Sequence, residues 1–317
     1  MVGEENMLIP QVPFFGLDSK QIDLKWVEQG YGLEANIFDG ESLHDKSYTT
    51  KFSDVLSFVQ TLNPSLLTLH FPTDNADYLN SEFIKKQLYE FINLAIKYNA
   101  AGITVHANQF MNIAEFQKYN LIDNRKRIIE FFKMIDEEIK GTNIWIGVEN
   151  LPIIGNLGDD FDPIFVYPED FNDLVNLDLS NVGITWDICH WSITYLTRLG
   201  ISKLLRQEEI EYKDFHKYIN LMDHIKHLHF SSFKHLTIPY SEVRCFEGES
   251  PTNGSINENL LHETLLKVKN QVSSRNIGIV FEVQETDYTN RVKSWETLNW
   301  FQKNITGVQA NSNFLKI

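Results

Sequence analysis

Six short apolar runs of this chain each end on a side chain that can bind a metal ion. The runs span residues 66–70, 103–106, 144–149, 182–187, 225–229 and 277–282, and they end on His70, His106, Glu149, Asp187, His229 and Glu282. In a barrel of parallel strands the C-terminal strand ends converge on one mouth, so ligands that are distant in sequence can meet there. The recurrence therefore predicts a metal site built from strand ends.

The side-chain types restrict the kind of metal. Histidine and carboxylate ligands without a cysteine cluster suit zinc, manganese, iron or cobalt, whereas calcium takes oxygen ligands. Glu149 and Glu282 directly follow apolar runs, where an unpaired carboxylate is costly to bury, so each needs a cation or strong donors nearby. We expect one or two divalent metal ions, with Zn or Mn as the first choices.

A further histidine follows the fourth of these runs. In the sequence Asp187-Ile188-Cys189-His190, a strand-end carboxylate precedes His190 by three residues. This spacing brings both side chains over one mouth, as two metal ligands or as a ligand and a substrate contact. His227 shares the strand parity of His229, so both can point inward. Cys189 is interpreted as a small packing residue.

The elements that position these residues alternate regularly between strand and helix. Strands are predicted at 7–13, 32–38, 66–70, 101–106, 143–149, 182–187, 225–230 and 277–282, with a long loop after the seventh strand. Helices are predicted between the strands, including one at 18–29 and a helical region at 193–222. No glycine fingerprint follows the first strand, so we expect no nucleotide cofactor. The pattern predicts an α/β chain in which residues 1–317 form a single (β/α)8 TIM barrel with its metal site at the C-terminal mouth.

Charge and composition restrict the partners. The 28 basic and 43 acidic residues give a net charge of −15, and residues 141–195 contain no Lys or Arg, which disfavours a general nucleic-acid binder. The two cysteines and the acidic start at residues 1–7 predict a reducing, cytoplasmic location without a secretory signal. No apolar run approaches the roughly 18 residues that span a bilayer, so no membrane partner is expected.

Taken in order, the strand-end segments resemble one known superfamily. The segments are His70-Phe71-Pro72, Val105-His106, Val148-Glu149-Asn150, Asp187-Ile188-Cys189-His190, His229-Phe230-Ser231-Ser232 and Phe281-Glu282. Together they resemble the xylose isomerase-like TIM-barrel superfamily, which includes the apurinic-site nuclease endonuclease IV and sugar isomerases and epimerases. The match runs from about the third strand to the eighth.

The resemblance implies roles for seven residues. A metal site shared by both branches would consist of Glu149, Asp187, His229 and Glu282. His70 and His106, with Glu149 bridging, would form a second site like that of the nuclease. His190 would bind a third metal in the nuclease or the substrate in the epimerases. The nuclease completes its third site with an Asp-x-His pair after strand seven, and residues 234–255 contain none.

Two chemistries remain open on this set of residues, beside a non-catalytic metal-binding barrel. Two cations about 3.5–4 Å apart would promote phosphodiester hydrolysis at an abasic site in DNA. One cation, with Glu149 and Glu282 as catalytic acid and base, would isomerise or epimerise a sugar. The acidic loops at 39–51 and 151–173, with Phe161, Phe165 and Tyr167 as aromatic walls, favour a small carbohydrate-like substrate.

Overall fold

Eight parallel strands close into a barrel in the computed structural model, which describes residues 8–153, 160–206, 210–236, 245–272 and 275–306. Around the barrel the order is β1, β2, β3, β4, β5, β6, β7 and β10, with β10 pairing again with β1. The bounds are β1 Leu8–Phe15, β2 Gly32–Asn36, β3 Leu67–His70, β4 Gly102–Val105, β5 Trp145–Glu149, β6 Val182–Asp187, β7 Ile225–Phe230 and β10 Ile277–Phe281. The predicted (β/α)8 TIM-barrel fold is thereby confirmed.

Helices surround this barrel. They are α1 Leu24–Glu28, α2 Tyr48–Leu62, α3 Glu82–Lys97, α4 Ile113–Phe116, α5 Leu121–Glu138, α6 Asn172–Val175, α7 Ile188–Leu205, α8 Glu258–Gln271 and α9 Val292–Phe301. In α3, Ser81 caps the first turn by accepting a hydrogen bond from the Ile84 amide, and Leu88 and Phe91 are buried on the inner face. Within the described residues, no helix is both long enough and apolar enough to cross a membrane.

Three segments differ from their predicted structure. The long loop predicted after β7 contains an antiparallel hairpin of β8 Ser232–Lys234 and β9 Phe246–Glu249. Helix α7 begins directly after β6 instead of near residue 193, because Asp187 caps it by accepting a hydrogen bond from the His190 amide at 2.7 Å. The single helix predicted at 18–29 divides into a 3-10 turn and α1, since Asp23 begins a second cap there.

The strands separate an apolar outer face from a polar lumen. In β6, Trp186 stacks on Tyr218 outside the barrel, whereas Thr185 points inward and lies 3.0 Å from Thr104 of β4, oxygen to oxygen. Gly147 of the intervening strand permits this contact, because a Cβ at that position would lie 2.1 Å from the Thr185 hydroxyl. The period-2 alternation thus directs strand-end polar side chains into the lumen.

Candidate metal centre

Glu149 connects two groups of histidines. It is the last residue of β5 and is 1% exposed. Its Oε2 lies 3.1 Å from Nε2 of His70 and 3.0 Å from Nε2 of His106, while its Oε1 lies 3.2 Å from Nδ1 of His229. The two oxygens of one buried carboxylate therefore face two different clusters, which is the arrangement of a bridging ligand.

The first cluster combines three carboxylates with one histidine. Donor atoms of Glu149, Asp187, His229 and Glu282 all lie within 4.8 Å of one another. Nδ1 of His229 is 3.2 Å from Oε2 of Glu282, the same distance that separates it from Glu149. The side chain of Glu282 is 26% exposed while the others are buried, so this cluster opens toward solvent on the Glu282 side.

The electrostatics of this cluster fit a divalent cation. Burial raises the pKa of Asp187 to about 7; the neighbouring carboxylates Glu149 and Glu282 add to the increase, and His190 opposes it. Three carboxylates held this close with little exposure to solvent destabilise the folded state unless a positive charge lies between them. A divalent cation would supply this charge. One imidazole and three carboxylates are ligand types that suit Mn²⁺ or Zn²⁺.

The second cluster consists of His70, His106 and Oε2 of Glu149. Nδ1 of His70 lies 2.7 Å from the Phe71 carbonyl oxygen, to which it can donate a hydrogen bond, so that its Nε2 lone pair would be available to a cation held beside Glu149. The two imidazole rings are nearly perpendicular, at 83°, with centroids 5.1 Å apart. The cluster therefore offers two histidines and one carboxylate oxygen to a cation.

His190 lies at the edge of the first cluster. Its Nδ1 is 2.9 Å from the Asn150 carbonyl oxygen and only 3.5 Å from Oε1 of Glu149. With Nδ1 engaged by the backbone, Nε2 is the nitrogen that remains available, and it lies 3.3 Å from Oε2 of Glu247. The structure thus places all seven predicted residues around one mouth, with His190 beside the two clusters rather than within either.

Two glutamates near this mouth are absent from the set chosen from sequence. Glu34 of β2 is fully buried and contacts His227 and His229. The signal that could have identified Glu34 is its position in the apolar run at 32–38, where alternation along the strand directs its side chain inward. Glu247 lies on β9, in a segment that reads as loop, so no sequence pattern placed it beside His190.

The rim of the mouth differs from the expected aromatic and acidic surface. Phe165 is 1% exposed and stacks on Phe171, so its interpretation as a substrate wall is wrong: it belongs to the core. Among the acidic residues, Asp170 forms an ion pair of 2.7 Å with Arg125. Buried Asp162 accepts hydrogen bonds from backbone amides. Part of the acidity of 151–173 is therefore internal.

Other aromatic rings occupy the strand ends, and a cavity lies alongside them. Phe15, at the end of β1, stacks on the exposed Phe38, with centroids 6.0 Å apart. A cavity of about 610 Å³ lies among the loops after β2, β3 and β4. Its lining includes Glu41, Asp77 and Tyr119 but none of the seven predicted site residues. Among the residues that the structure describes, no group of metal-binding donor atoms comparable to the two clusters lies in this cavity.

Comparison with known proteins gives structural matches only. No family model matches the chain, and no curated protein matches it in sequence. A D-tagatose 3-epimerase-like protein is 18% identical, with 95% of this chain and 99% of that chain covered and a TM-score of 0.60. The 3-keto-D-glucoside 4-epimerase of E. coli is 15% identical, with 94% and 100% covered and a TM-score of 0.60.

A xylose isomerase domain protein from Alicyclobacillus acidocaldarius is similar in the same way. It is 13% identical, the match covers 95% of this chain and 99% of that chain, and the TM-score is 0.60. Identities this low show the fold and leave the activity to be argued from the site. Over nearly its whole length, the chain has the same barrel fold as these three structures.

Proposed function

We propose that this protein is a divalent-metal-dependent isomerase or epimerase that acts on a sugar or a sugar-like polyol. The observation that carries the proposal is the placement of two carboxylates about one imidazole. Oε1 of Glu149 and Oε2 of Glu282 each lie 3.2 Å from Nδ1 of His229. Glu149 ends β5 and Glu282 directly follows β10, and β6 and β7 lie between these two strands in the barrel. An acid and a base can thus approach one substrate from different strands.

The chemistry requires a proton to leave one carbon and to return. When bound, a divalent cation would polarise the carbonyl and the adjacent hydroxyl of the substrate and stabilise the negative charge that develops. One of the two carboxylates removes the proton from carbon, and the other returns it. Return to the opposite face of the same carbon gives an epimer. Return to the neighbouring carbon, with the hydroxyl proton passing to the former carbonyl oxygen, gives an isomer.

The residues around the clusters would orient such a substrate. Nε2 of His190 and the partly exposed carboxylate of Glu247 offer hydrogen-bonding groups to sugar hydroxyls. This geometry favours substrate contact over metal ligation for His190. Sugar epimerases are among the structures of similar fold, which supports the same class of substrate.

A second candidate function rests on the His70, His106 and Glu149 cluster. A bridging carboxylate and two additional histidines are the ligands that a second cation needs, and two cations can promote phosphodiester hydrolysis at an abasic site. The expected third-site pair is missing from residues 234–255, and His190 faces Glu247 instead. The crowded carboxylates disfavour a metal-free barrel. Turnover distinguishes a non-catalytic metal-binding barrel from the two enzymes.

One parallel assay tests these functions. The protein, loaded separately with Mn²⁺, Co²⁺ and Zn²⁺, is incubated with a panel of ketoses and aldoses in deuterated water, and with a duplex that contains one abasic site. We expect deuterium at the epimerised or isomerised carbon, and no incorporation by Glu282→Gln. Nicking of the duplex without deuterium exchange would support the hydrolase. Stoichiometric metal with neither activity would support the non-catalytic barrel.

A further inference from the structure

A buried polar chain lies directly beneath the metal centre. Thr68 donates a hydrogen bond of 2.9 Å to Oε2 of Glu34, and Nε2 of His227 lies 3.1 Å from the same oxygen. Gln11 in turn donates to the Thr68 hydroxyl at 3.1 Å. All four side chains are fully buried in the described barrel. TIM-barrel lumens are usually filled by branched apolar side chains, so a carboxylate at this depth calls for an explanation.

The second oxygen of Glu34 faces a predicted metal ligand. Oε1 of Glu34 lies 3.4 Å from Nε2 of His229. Neither atom has a hydrogen-bond partner in the described part of the chain, so each is the nearest available partner of the other. The opposite ring nitrogen, Nδ1, faces Glu149 and Glu282 at 3.2 Å. The imidazole of His229 thus lies between the buried carboxylate and the metal centre.

The tautomer of His229 decides whether it can bind a cation. A neutral imidazole carries one proton, and a proton on Nδ1 would leave no lone pair for a metal on that side. Glu149 and Glu282 on the Nδ1 side would bind the cation, so that Glu34 is the carboxylate left to accept a proton from the ring. A carboxylate at Nε2 then favours the proton there and leaves the Nδ1 lone pair for the metal. Carboxylates in this position also increase the basicity of the ligand and fix the orientation of its ring.

An alternative occupant of this region is a second cation among Glu34, His227 and His229. Their donor atoms lie within 4.8 Å of one another, but all three side chains are 0% exposed. Oε2 of Glu34 already accepts a hydrogen bond from Thr68. The site has no solvent-exposed side, whereas the cluster with Glu282 does. These observations favour a proton between Glu34 and His229 over a metal ion.

We propose that Glu34 is a positioning residue that holds His229 in the tautomer whose Nδ1 lone pair faces Glu149, Asp187 and Glu282. The inference rests on the metal centre of the proposed function, although it concerns metal binding and not turnover. Glu34 would act through His229 and would not contact the substrate. Its removal is therefore expected to weaken metal binding without opening the mouth of the barrel.

The test measures zinc affinity by competition with a chromophoric chelator for the full chain and two variants. Glu34→Gln keeps the shape of the side chain but removes the charge, and its amide can donate to Nε2 of His229. Thr104→Val is the matched control, because it removes a buried lumen hydroxyl that pairs with Thr185 and not with Glu34. We expect Glu34→Gln to bind zinc about 10- to 100-fold more weakly and Thr104→Val to bind it within threefold of wild type.

A second measurement uses the wild type, so it does not depend on whether Glu34→Gln folds. Long-range proton–nitrogen correlation of ¹⁵N-histidine-labelled, zinc-loaded wild type reports which ring nitrogen of His229 carries the proton, with the signal assigned by its loss in His229→Gln. Protonation at Nε2 is expected. Protonation at Nδ1, an unchanged affinity of Glu34→Gln, or a wild type that binds no zinc would each overturn the proposal.

Metal stoichiometry separates the remaining outcomes. Loss of one bound ion in both Glu34→Gln and His227→Gln would indicate a cation in the buried group and would contradict the positioning role. A wild type that binds zinc through an Nε2-protonated His229 but turns over no sugar would disprove the proposed function and leave this inference intact. The two proposals can therefore fail independently.

Discussion

His190 and Glu247 face each other at the mouth of the barrel, with Nε2 of the histidine 3.3 Å from Oε2 of the carboxylate. His190 belongs to the first turn of α7, and Glu247 belongs to the hairpin strand β9. The Glu247 side chain is 36% exposed, so the pair is open to a ligand. The hairpin after β7 thus supplies a side chain to the centre formed by the strand ends.

Replacement of Glu247 by Gln is expected to affect substrate binding more than metal binding. The loss of one hydrogen-bonding carboxylate at a partly exposed site should raise KM about two- to tenfold. Zinc or manganese affinity should stay within twofold, because no oxygen of Glu247 lies in the two metal clusters of the described residues. A large loss of bound metal in this variant would place Glu247 among the ligands instead.

Removal of either of the two carboxylates proposed as acid and base is expected to reduce bound metal. Glu149→Ala and Glu282→Ala each delete a donor of the first cluster. Loss of a residue that only orients a ligand lowers metal affinity about 10- to 100-fold, so loss of a ligand itself should lower it at least tenfold. Elemental analysis after dialysis measures the change. Glu41→Ala, an exposed carboxylate of the neighbouring cavity, is the control. An unchanged number of bound metal ions in both Glu149→Ala and Glu282→Ala would show that these residues form no metal centre.

The double variant His70→Ala, His106→Ala is expected to remove the second cluster and to leave the four donor residues of the first in place. Glu149 would keep Oε1 near His229, so the number of bound ions should fall from two toward one. Sugar turnover should persist if one cation is sufficient, whereas hydrolysis of an abasic duplex should be lost. Inductively coupled plasma measurement of the metal content, together with the two assays, checks this. A constant metal content would show that the dinuclear interpretation is wrong.

Asp187→Asn is expected to stabilise the metal-free protein in a pH-dependent way. Burial and nearby carboxylates raise the pKa of Asp187 to about 7 from an ordinary value of 3.8. The folded state therefore holds this proton more tightly than the unfolded chain, and the contribution of Asp187 to folding falls as pH rises between these two values. Above that window the variant should exceed wild type in unfolding free energy by up to roughly 4 kcal/mol.

Denaturant titrations in the presence of a chelator at pH 5 and pH 8 measure this difference. The advantage of Asp187→Asn should be larger at the higher pH and should disappear when metal is added, because the cation compensates the charge. The exposed Asp173→Asn controls for loss of a surface charge. An equal difference at both pH values would mean that Asp187 is not crowded by negative charge.

The sequence alone determined the barrel and the ends of its strands. The apolar runs that end on His70, His106, Glu149, Asp187 and His229 lie on strands of the structure or directly after them. Glu282 likewise follows β10 immediately. This was predictable because period-2 burial and βα alternation are local properties of the chain, and because parallel strands of a closed barrel present their C-terminal ends at one mouth.

Tertiary structure decided how these side chains combine. Which oxygen of Glu149 faces His106 and which faces His229 depends on the register of β4, β5 and β7 around the closed barrel. The positions of Glu34 and Glu247 depend on lumen packing and on the β8–β9 hairpin. Such contacts join residues far apart in the chain, and their distances follow from closure and packing, which no local pattern of residue types encodes.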